Sequence, residues 1–393
     1  MLKYTNLTQH EKLALEQEFN YTNAFNQISQ PGYQIPTIDQ LPRLWLETEK
    51  NKQQIFEERF LEVFYGIRGI RSGLNSGNIM LHYAASIAIV HVANYLSNHH
   101  LSVSLIEPCF DSIFQVLRNQ NVKVSALPEE LLYDSSRIYD NLLYHVKTDA
   151  IFLVDPNNPT GFTTLGDHNR HAFNEIIRFC KEQDKLLIFD HCFAPFLLLD
   201  SQISLYDTYD VLEKSGISYI VIEDTGKFFP TQGIKVSTLK MSPDLYDRMY
   251  EIYNGYLLSV SPFVLNFITK YITASFCSKF SQIRDPIEQN RSTLETLLKG
   301  QIIDLVPNLT KTSVAWCEIK SPHVQATDLQ EFLQIRKKVH ILPGTFFYWD
   351  NPEQGGKYLR IALARNTDNF KKGMSLLVEG VREFSESKAL INV

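Results

Sequence analysis

The chain of 393 residues is long enough to bury a large core, and the usual domain sizes predict one large domain with a smaller partner. Its composition, 44% hydrophobic and 21% charged, is ordinary for a folded protein and argues against disorder. The formal net charge of -6 and a sequence pI of about 6.0 argue against a nucleic-acid partner, because such binders usually carry a basic face. The five cysteines are scattered and odd in number, so neither a disulfide framework nor a metal site is expected.

The first residues of the chain, MLKYTNLTQHEKLALEQEF, are polar and charged. They contain no apolar stretch long enough for a signal peptide or a membrane span, which favours a cytoplasmic location without membrane partners. Residues 1–45 are predicted to form an N-terminal arm, with a helix followed by Pro31 and Gly32 in its middle.

Short apolar runs alternate with helical patterns from about Leu101 to Leu239. The runs are LSVSLIE, VKVSAL, AIFLVD, LLIFD, ISYIVIE and VSTL. Strands that alternate with helices indicate a parallel sheet covered on both faces, so the fold class is α/β. One helix is especially clear, since Phe173, Ile176, Ile177 and Cys180 recur at helical spacing before LLIFD.

The remaining sequence is organised differently. A long polar helix is predicted from about residue 285, followed by mixed strands and helices. We therefore expect a large domain over residues 46–285 and a small α+β domain over residues 286–393.

Three polar motifs follow three of the predicted strands. Asp155-Pro-Asn-Asn-Pro-Thr-Gly161 follows AIFLV, Asp190 ends LLIFD, and Glu223-Asp-Thr-Gly-Lys227 ends the next strand. In open α/β sheets, ligands bind at the carboxyl ends of the strands. The first motif, taken alone, is also compatible with a plain turn, because Asn, Pro and Gly are turn formers.

Together these motifs resemble the class I/II aminotransferase family of fold-type I enzymes, which use pyridoxal 5'-phosphate (PLP). The resemblance implies an aspartate aminotransferase-like fold in which Lys227 is the catalytic lysine that links to the cofactor aldehyde. It assigns Asn158 to the cofactor's phenolic oxygen and Asp190 to the pyridinium nitrogen, which a nearby carboxylate keeps protonated.

The resemblance also implies a site for the cofactor phosphate. Its contacts would be Lys235, where the family usually has an arginine, and the start of a helix at Ala84, Ala85 and Ser86. Phe110 aligns with the aromatic residue that stacks on the pyridine ring, although an aromatic side chain at this place, taken alone, more often belongs to a hydrophobic core.

Two further positions bear on the substrate. Arg360, within YLRIA, matches the arginine that grips the substrate α-carboxylate, together with Asn158. Ordinary aminotransferases have a tyrosine three residues after the pyridinium aspartate, whereas this chain has Phe193. The loss of that hydroxyl argues against simple transamination.

The segments NLTQHEKLAL (residues 6–15), LPRLW (41–45) and VIEDTGK (221–227) are similar to the PLP-dependent L-arginine hydroxylase/oxidase group. In that group the arm covers the active site, and the matching residues here, Thr8, Glu11 and Asp224, would hold the substrate guanidinium. Thr8 and Glu11 also have the spacing of a helix capping box, which explains both without a substrate. Asp224 stands where relatives often have a phosphate-binding serine, and a carboxylate beside a phosphate is hard to explain structurally.

The arginine hydroxylases carry an aspartate and a histidine at the positions of Asn23 and Phe25. Phenylalanine carries no proton, so the sequence favours their divergent relatives, the L-enduracididine cyclases, over hydroxylation. The implied reaction converts 4-hydroxy-L-arginine to L-enduracididine: Lys227 removes the α-proton, the γ-hydroxyl leaves as water and a guanidine nitrogen closes the ring. Rival readings are an oxygen-dependent L-arginine oxidase and an aminotransferase.

His10, His82 and His191 are candidates, by their chemistry alone, for the acid that assists departure of the hydroxyl. The resemblance further implies a homodimer, since fold-type I enzymes build their sites across a subunit interface.

Overall fold

The computed structural model of the protein describes residues 6–29, 38–72, 74, 77–307 and 310–391. Pro31 and Gly32, expected in the middle of the arm, lie outside the described residues. The helices are α1 Leu7–Ala14, α2 Leu41–Lys50, α3 Gln53–Gly66, α4 Ala85–Asn98, α5 Asp111–Asn119, α6 Ile138–His145, α7 Arg170–Glu182, α8 Thr208–Ser215, α9 Tyr246–Asn254, α10 Pro262–Cys277, α11 Ser281–Leu298, α12 Ala326–Arg336 and α13 Thr367–Ile391.

The strands form one large sheet and two smaller ones. They are β1 Phe19–Asn20, β2 Ile79–His82, β3 Val103–Glu107, β4 Val124–Pro128, β5 Ala150–Val154, β6 Leu186–Asp190, β7 Tyr219–Asp224, β8 Ser237–Met241, β9 Ile303–Leu305, β10 Val314–Ile319, β11 Val339–His340, β12 Leu342–Pro343 and β13 Tyr358–Ala362. All six strands predicted between Leu101 and Leu239 are present.

The large sheet has the order β2-β8-β7-β6-β5-β3-β4. Strands β3 to β7 run parallel, whereas β8 is antiparallel to β7 and β2 is antiparallel to β8. The sheet is thus mainly parallel, as predicted, and its antiparallel pairings are those of β8. The connection 225–236 forms no crossover helix, and a strand that returns without one pairs antiparallel with its predecessor. Strand β2 lies outside the predicted set.

The parallel strands β3, β5 and β7 are buried along their whole length, which is expected when helices cover both faces of a sheet. The predicted apolar face of α7 is buried, and Phe173 stacks on Phe189 of β6 with ring centroids 5.5 Å apart. This α/β core fixes the carboxyl ends of β5, β6 and β7 side by side.

The C-terminal part contains a four-stranded antiparallel sheet of order β12-β13-β10-β9, packed with α11, α12 and α13. The arm joins this part, since β1 pairs in parallel with β11. The expected domain boundary at residues 285/286 falls inside α11, and the boundary at 45/46 falls inside α2. Among the described residues, none of the helices combines the length and apolar character that crossing a bilayer requires.

Candidate active site

A cavity of about 250 Å³ opens at the carboxyl ends of β5, β6 and β7. Every predicted site residue except Arg360 lines it, together with Phe25 and Phe193. The full lining is Thr8, Glu11, Phe25, Ala84, Ala85, Ser86, Ile89, Phe110, Ser112, Val154, Pro156, Asn158, Asp190, Cys192, Phe193, Asp224, Lys227 and Lys235. The arm, the large domain and the loop after β7 therefore meet in one place.

Asp190 ends β6 in the wall of the cavity. Its Oδ1 accepts a hydrogen bond from the backbone N–H of Cys192 at 2.9 Å. Burial raises the pKa of this carboxyl group, while the Cys192 hydrogen bonds and the charge of Lys227 lower it. A pyridinium nitrogen opposite the carboxylate would offset the burial and keep it charged.

Aromatic rings surround the amine of Lys227. Its Nζ lies 4.0 Å from the ring centroid of Phe25 and 5.7 Å from that of Phe110. The Nζ of Lys235 lies 4.6 Å from the ring centroid of Phe25 as well. Phe25 thus contacts both lysines and places an apolar ring against their ammonium groups.

The start of α4 is an anion-binding position. Its N-cap residue, Ala84, has no side-chain cap, and the N–H of Ala85 donates to Asp224 Oδ2 at 2.8 Å. The other carboxylate oxygen of Asp224 accepts from Gly226 N–H at 2.5 Å. A Cβ on Gly226 would lie 2.8 Å from Lys235 Cδ and 3.0 Å from Asp224 Oδ1, so any larger residue would force these side chains to shift. Helix N-termini favour negative groups through their free N–H groups and their dipole.

This geometry bears on the predicted role of Asp224. Both of its oxygens accept backbone N–H groups, one of them at the helix start expected to hold the cofactor phosphate. Its assignment as a guanidinium ligand stays a prediction.

Arg360 lies behind the cavity wall and is fully buried. One guanidinium nitrogen donates to Asn158 Oδ1 at 3.1 Å, and the other lies 3.2 Å from Glu11 Oε1 and also donates to the carbonyl of Thr22. Its Nε has no hydrogen-bond partner among the described residues. Burial lowers the pKa of Arg360, and the Glu11 carboxylate raises it.

Helix α1 carries Thr8 and Glu11 to the cavity. Its N-cap is Asn6, whose Oδ1 accepts from Gln9 N–H at 2.9 Å, so the capping-box explanation for Thr8 and Glu11 is wrong. The two residues instead share the helix face that looks into the cavity, as their spacing requires. Asp111 accepts from the Leu7 N–H at 3.1 Å and fixes the start of the helix.

Arg365 holds the second half of the arm and was not predicted from the sequence. This fully buried guanidinium donates to the carbonyls of Asn20 at 2.8 Å, Asn23 at 2.7 Å and Phe25 at 3.0 Å. It thereby fixes Phe25 over Lys227. The signal available in the sequence was a second arginine after the apolar strand that contains Arg360.

Among the described residues, the cavity is lined by no histidine. Burial lowers the pKa of His10 to about 4, and its ring packs against Phe346. His82 pairs with His91 at 3.2 Å, and His191 is buried beside Phe189. The candidates for an acid that assists hydroxyl departure therefore lie outside the cavity lining.

The residues present fit PLP. Lys227 would supply an amine for the aldehyde, Asp190 a carboxylate for the ring nitrogen and Phe110 a ring face. At the start of α4 the Asp224 carboxylate accepts the Ala85 N–H, and the Lys235 ammonium, which would attract a phosphate, lines the same cavity. Asn158 lines the cavity beside them.

Comparisons with known proteins identify the family of the chain. The family description "Aminotransferase class I and II" matches residues 68–375. The L-serine phosphate decarboxylase Cj1436c of Campylobacter jejuni is 24% identical over 230 residues, which are 58% of this chain and 56% of that protein. Histidinol-phosphate aminotransferase 2 of Archaeoglobus fulgidus is 22% identical over 79% of each chain.

Among solved structures, MppP soaked with the product 2-ketoarginine is 26% identical, with a TM-score of 0.82 over 92% of this chain and 99% of that one. Cystalysin from Treponema denticola, which contains PLP, is 17% identical, with a TM-score of 0.75 over 98% and 96% of the two chains, and supports the fold alone. The family match spans most of the chain and includes Asn158, Asp190 and Lys227. The chain belongs to the class I and II aminotransferase family, and its cofactor is pyridoxal 5'-phosphate.

Proposed function

We propose that the protein is a PLP-dependent cyclodehydratase that converts 4-hydroxy-L-arginine to the cyclic guanidino amino acid L-enduracididine. The Cγ–O bond breaks and a bond between Cγ and a guanidine nitrogen forms. The hydroxyl leaves with a proton as water, so the product is the substrate minus one water. The reaction is redox-neutral and needs neither oxygen nor an amino acceptor.

The main support for a guanidino substrate is the similarity to MppP, whose structure was obtained with 2-ketoarginine. That relative handles an arginine skeleton and matches this chain over nearly its whole length. Thr8, Glu11 and Asp224 line the same cavity as Lys227, and two of them are carboxylates that suit the donor fork of a guanidinium.

The bound cofactor supplies an electron-withdrawing ring that acidifies the protons on the substrate carbon next to the amine. In the proposal, Lys227 takes and returns the proton at that carbon. Arg360 and Asn158 orient the α-carboxylate, and the guanidine is held near Cγ by Glu11 and Asp224, which is a proximity effect. Phe25 packs against the Lys227 amine, and we expect its ring to limit the access of water to the reacting carbon.

An L-arginine oxidase that uses molecular oxygen is the second candidate. The product seen with MppP, 2-ketoarginine, has lost the amino group, as oxidation or transamination would require. Against oxidation, position 25 carries a phenylalanine rather than a group that transfers protons. Against transamination, position 193 in the cavity wall carries a phenylalanine and offers the cofactor no hydroxyl.

The test is to incubate the PLP-loaded protein separately with 4-hydroxy-L-arginine and L-arginine while recording oxygen uptake and product mass. The proposal expects loss of one water from the hydroxylated substrate without oxygen uptake, and no change of L-arginine. Lys227→Ala is the control and should be inactive on both. Oxygen uptake with L-arginine would refute the cyclodehydratase and establish the oxidase.

We further propose that the protein acts as a homodimer. The support is an exposed apolar segment beside the site: Leu258 is 98% exposed, Tyr256 is also exposed, and Tyr83, just before the start of α4, accepts a hydrogen bond from Ser261 N–H. Sedimentation equilibrium should give twice the chain mass. A Leu258→Glu variant should shift the equilibrium toward the monomer, and a wild-type protein that sediments as a monomer would contradict the proposal.

A further inference from the structure

The contact between Glu11 and Arg360 joins the arm to the bottom of the site. Glu11 Oε1 lies 3.2 Å from a guanidinium nitrogen of Arg360, and the glutamate side chain is only 14% exposed. The Glu11 carboxylate also interacts electrostatically with Lys227 and lines the cavity. The Glu11 carboxylate therefore contacts the buried arginine and also interacts electrostatically with the lysine.

A substrate would bring its own carboxylate to the same place. In the proposed function, the substrate carbon beside Lys227 carries a carboxylate held by Arg360. Two carboxylates in one small buried site repel each other. The same edge of the Arg360 guanidinium cannot pair with both the Glu11 carboxylate and the substrate carboxylate. We propose that Glu11 occupies the position of the substrate α-carboxylate on Arg360 and must leave when an amino acid binds, so that it selects for substrates whose far end is a cation.

The selection follows from the cost of a buried, unpaired carboxylate. Burial already raises the pKa of Glu11, and Arg360 is the largest influence that lowers it. A ligand with a neutral side chain breaks the ion pair between Arg360 and Glu11 and offers the glutamate no new cation. A ligand with a guanidinium gives the displaced glutamate a new partner, so the two exchanges are coupled. The nature of that cation rests on the proposed function, whereas the displacement itself does not.

The rest of the arm allows such an exchange. Helix α1 is held at its start by the Asp111 carboxylate, which accepts the Leu7 N–H, and by packing of Leu7 against Trp316, Leu342 and Phe347. Neither contact involves Glu11, so its side chain can change partner while the helix stays attached.

Two ligands without an amino group test this without any reaction at the cofactor. Pentanoate presents only a carboxylate, and 5-guanidinopentanoate adds the guanidinium on the same carbon chain. Their binding to the PLP-loaded wild type, to Glu11→Gln and to Glu16→Gln would be measured by isothermal titration calorimetry. Glu16 lies exposed on the same arm, so its variant matches the change of charge without touching the site.

Wild type and Glu16→Gln should prefer 5-guanidinopentanoate. Glu11→Gln should bind pentanoate about tenfold more tightly, because a neutral amide competes less for Arg360, and its preference for the guanidino ligand should fall by at least that factor. Unchanged pentanoate binding in Glu11→Gln would overturn the displacement. If Glu11→Gln bound both ligands more tightly by the same factor, the displacement of Glu11 would be supported and the guanidinium part of the proposed function would be refuted.

Hydrogen exchange gives a second readout that needs no variant. In the wild type, saturating pentanoate should accelerate amide exchange in the second half of α1, since Glu11 loses its partner, whereas 5-guanidinopentanoate should slow it. Identical exchange with both ligands would contradict the coupled exchange of partners.

Discussion

Replacement of Arg365 by methionine should release the arm without unfolding the protein. The arginine donates charge-assisted hydrogen bonds to the carbonyls of Asn20, Asn23 and Phe25, over distances of 2.7 to 3.0 Å. Hydrogen bonds to charged groups contribute about 1.5–3 kcal/mol each. Burial of the guanidinium, which lowers the pKa of Arg365 to about 9, offsets part of that gain. We therefore expect the free energy of local opening of residues 19–28 to fall by about 3 kcal/mol.

Amide hydrogen exchange measures this opening directly. Tyr21 N–H donates to the carbonyl of His340 and Gln27 N–H to that of Ala364, so these two amides report whether the arm is attached. Their exchange should become roughly a hundredfold faster in Arg365→Met. Arg382→Met is the matched control, because Arg382 is exposed and its Nε donates to Gln301 Oε1 at 3.3 Å, away from the arm. Unchanged exchange at Tyr21 and Gln27 would refute the reasoning that Arg365 holds the arm.

Two further predictions concern buried ionisable side chains. Arg68→Met should lower the free energy of unfolding by about 3–5 kcal/mol, measured by urea denaturation, because it leaves Glu223, paired at 2.5 Å and fully buried, without its cation. Adding Glu223→Gln should recover much of this loss, and no recovery would contradict the pairing argument. Burial lowers the pKa of His82 to about 3 and that of His91 to about 4. In the unfolded chain both histidines have a pKa near 6.5, so below pH 6.5 the unfolded chain binds more protons than the folded one. Their contribution to stability should be complete above pH 6.5 and fall as the pH drops toward 4, and a His91→Gln variant whose unfolding free energy has the same pH slope as wild type would disprove this.

The sequence alone determined the α/β class and the chain order of the motifs at the strand ends. Apolar runs that alternate with helical patterns dictate a covered parallel sheet, and parallel strands present their carboxyl ends at one edge. Asn158, Asp190 and Lys227 therefore had to lie close together once their strands were recognised. The antiparallel direction of β8 relative to β7 was not predicted, because the sequence of the loop 225–236, which carries Lys227, does not indicate the direction of the next strand.

The tertiary structure determines which residues these charged side chains contact. Glu11 and Arg360 are 349 positions apart, and Arg365 reaches the carbonyl of Asn20 across 345 positions. Such contacts depend on how the arm lies over the small domain, which no local pattern encodes. Likewise, the orientation of Asp224 toward the Ala85 N–H depends on the approach of α4 to the end of β7. Residue type and spacing select the chemistry of the site, whereas the packing of distant segments selects among the partners that this chemistry allows.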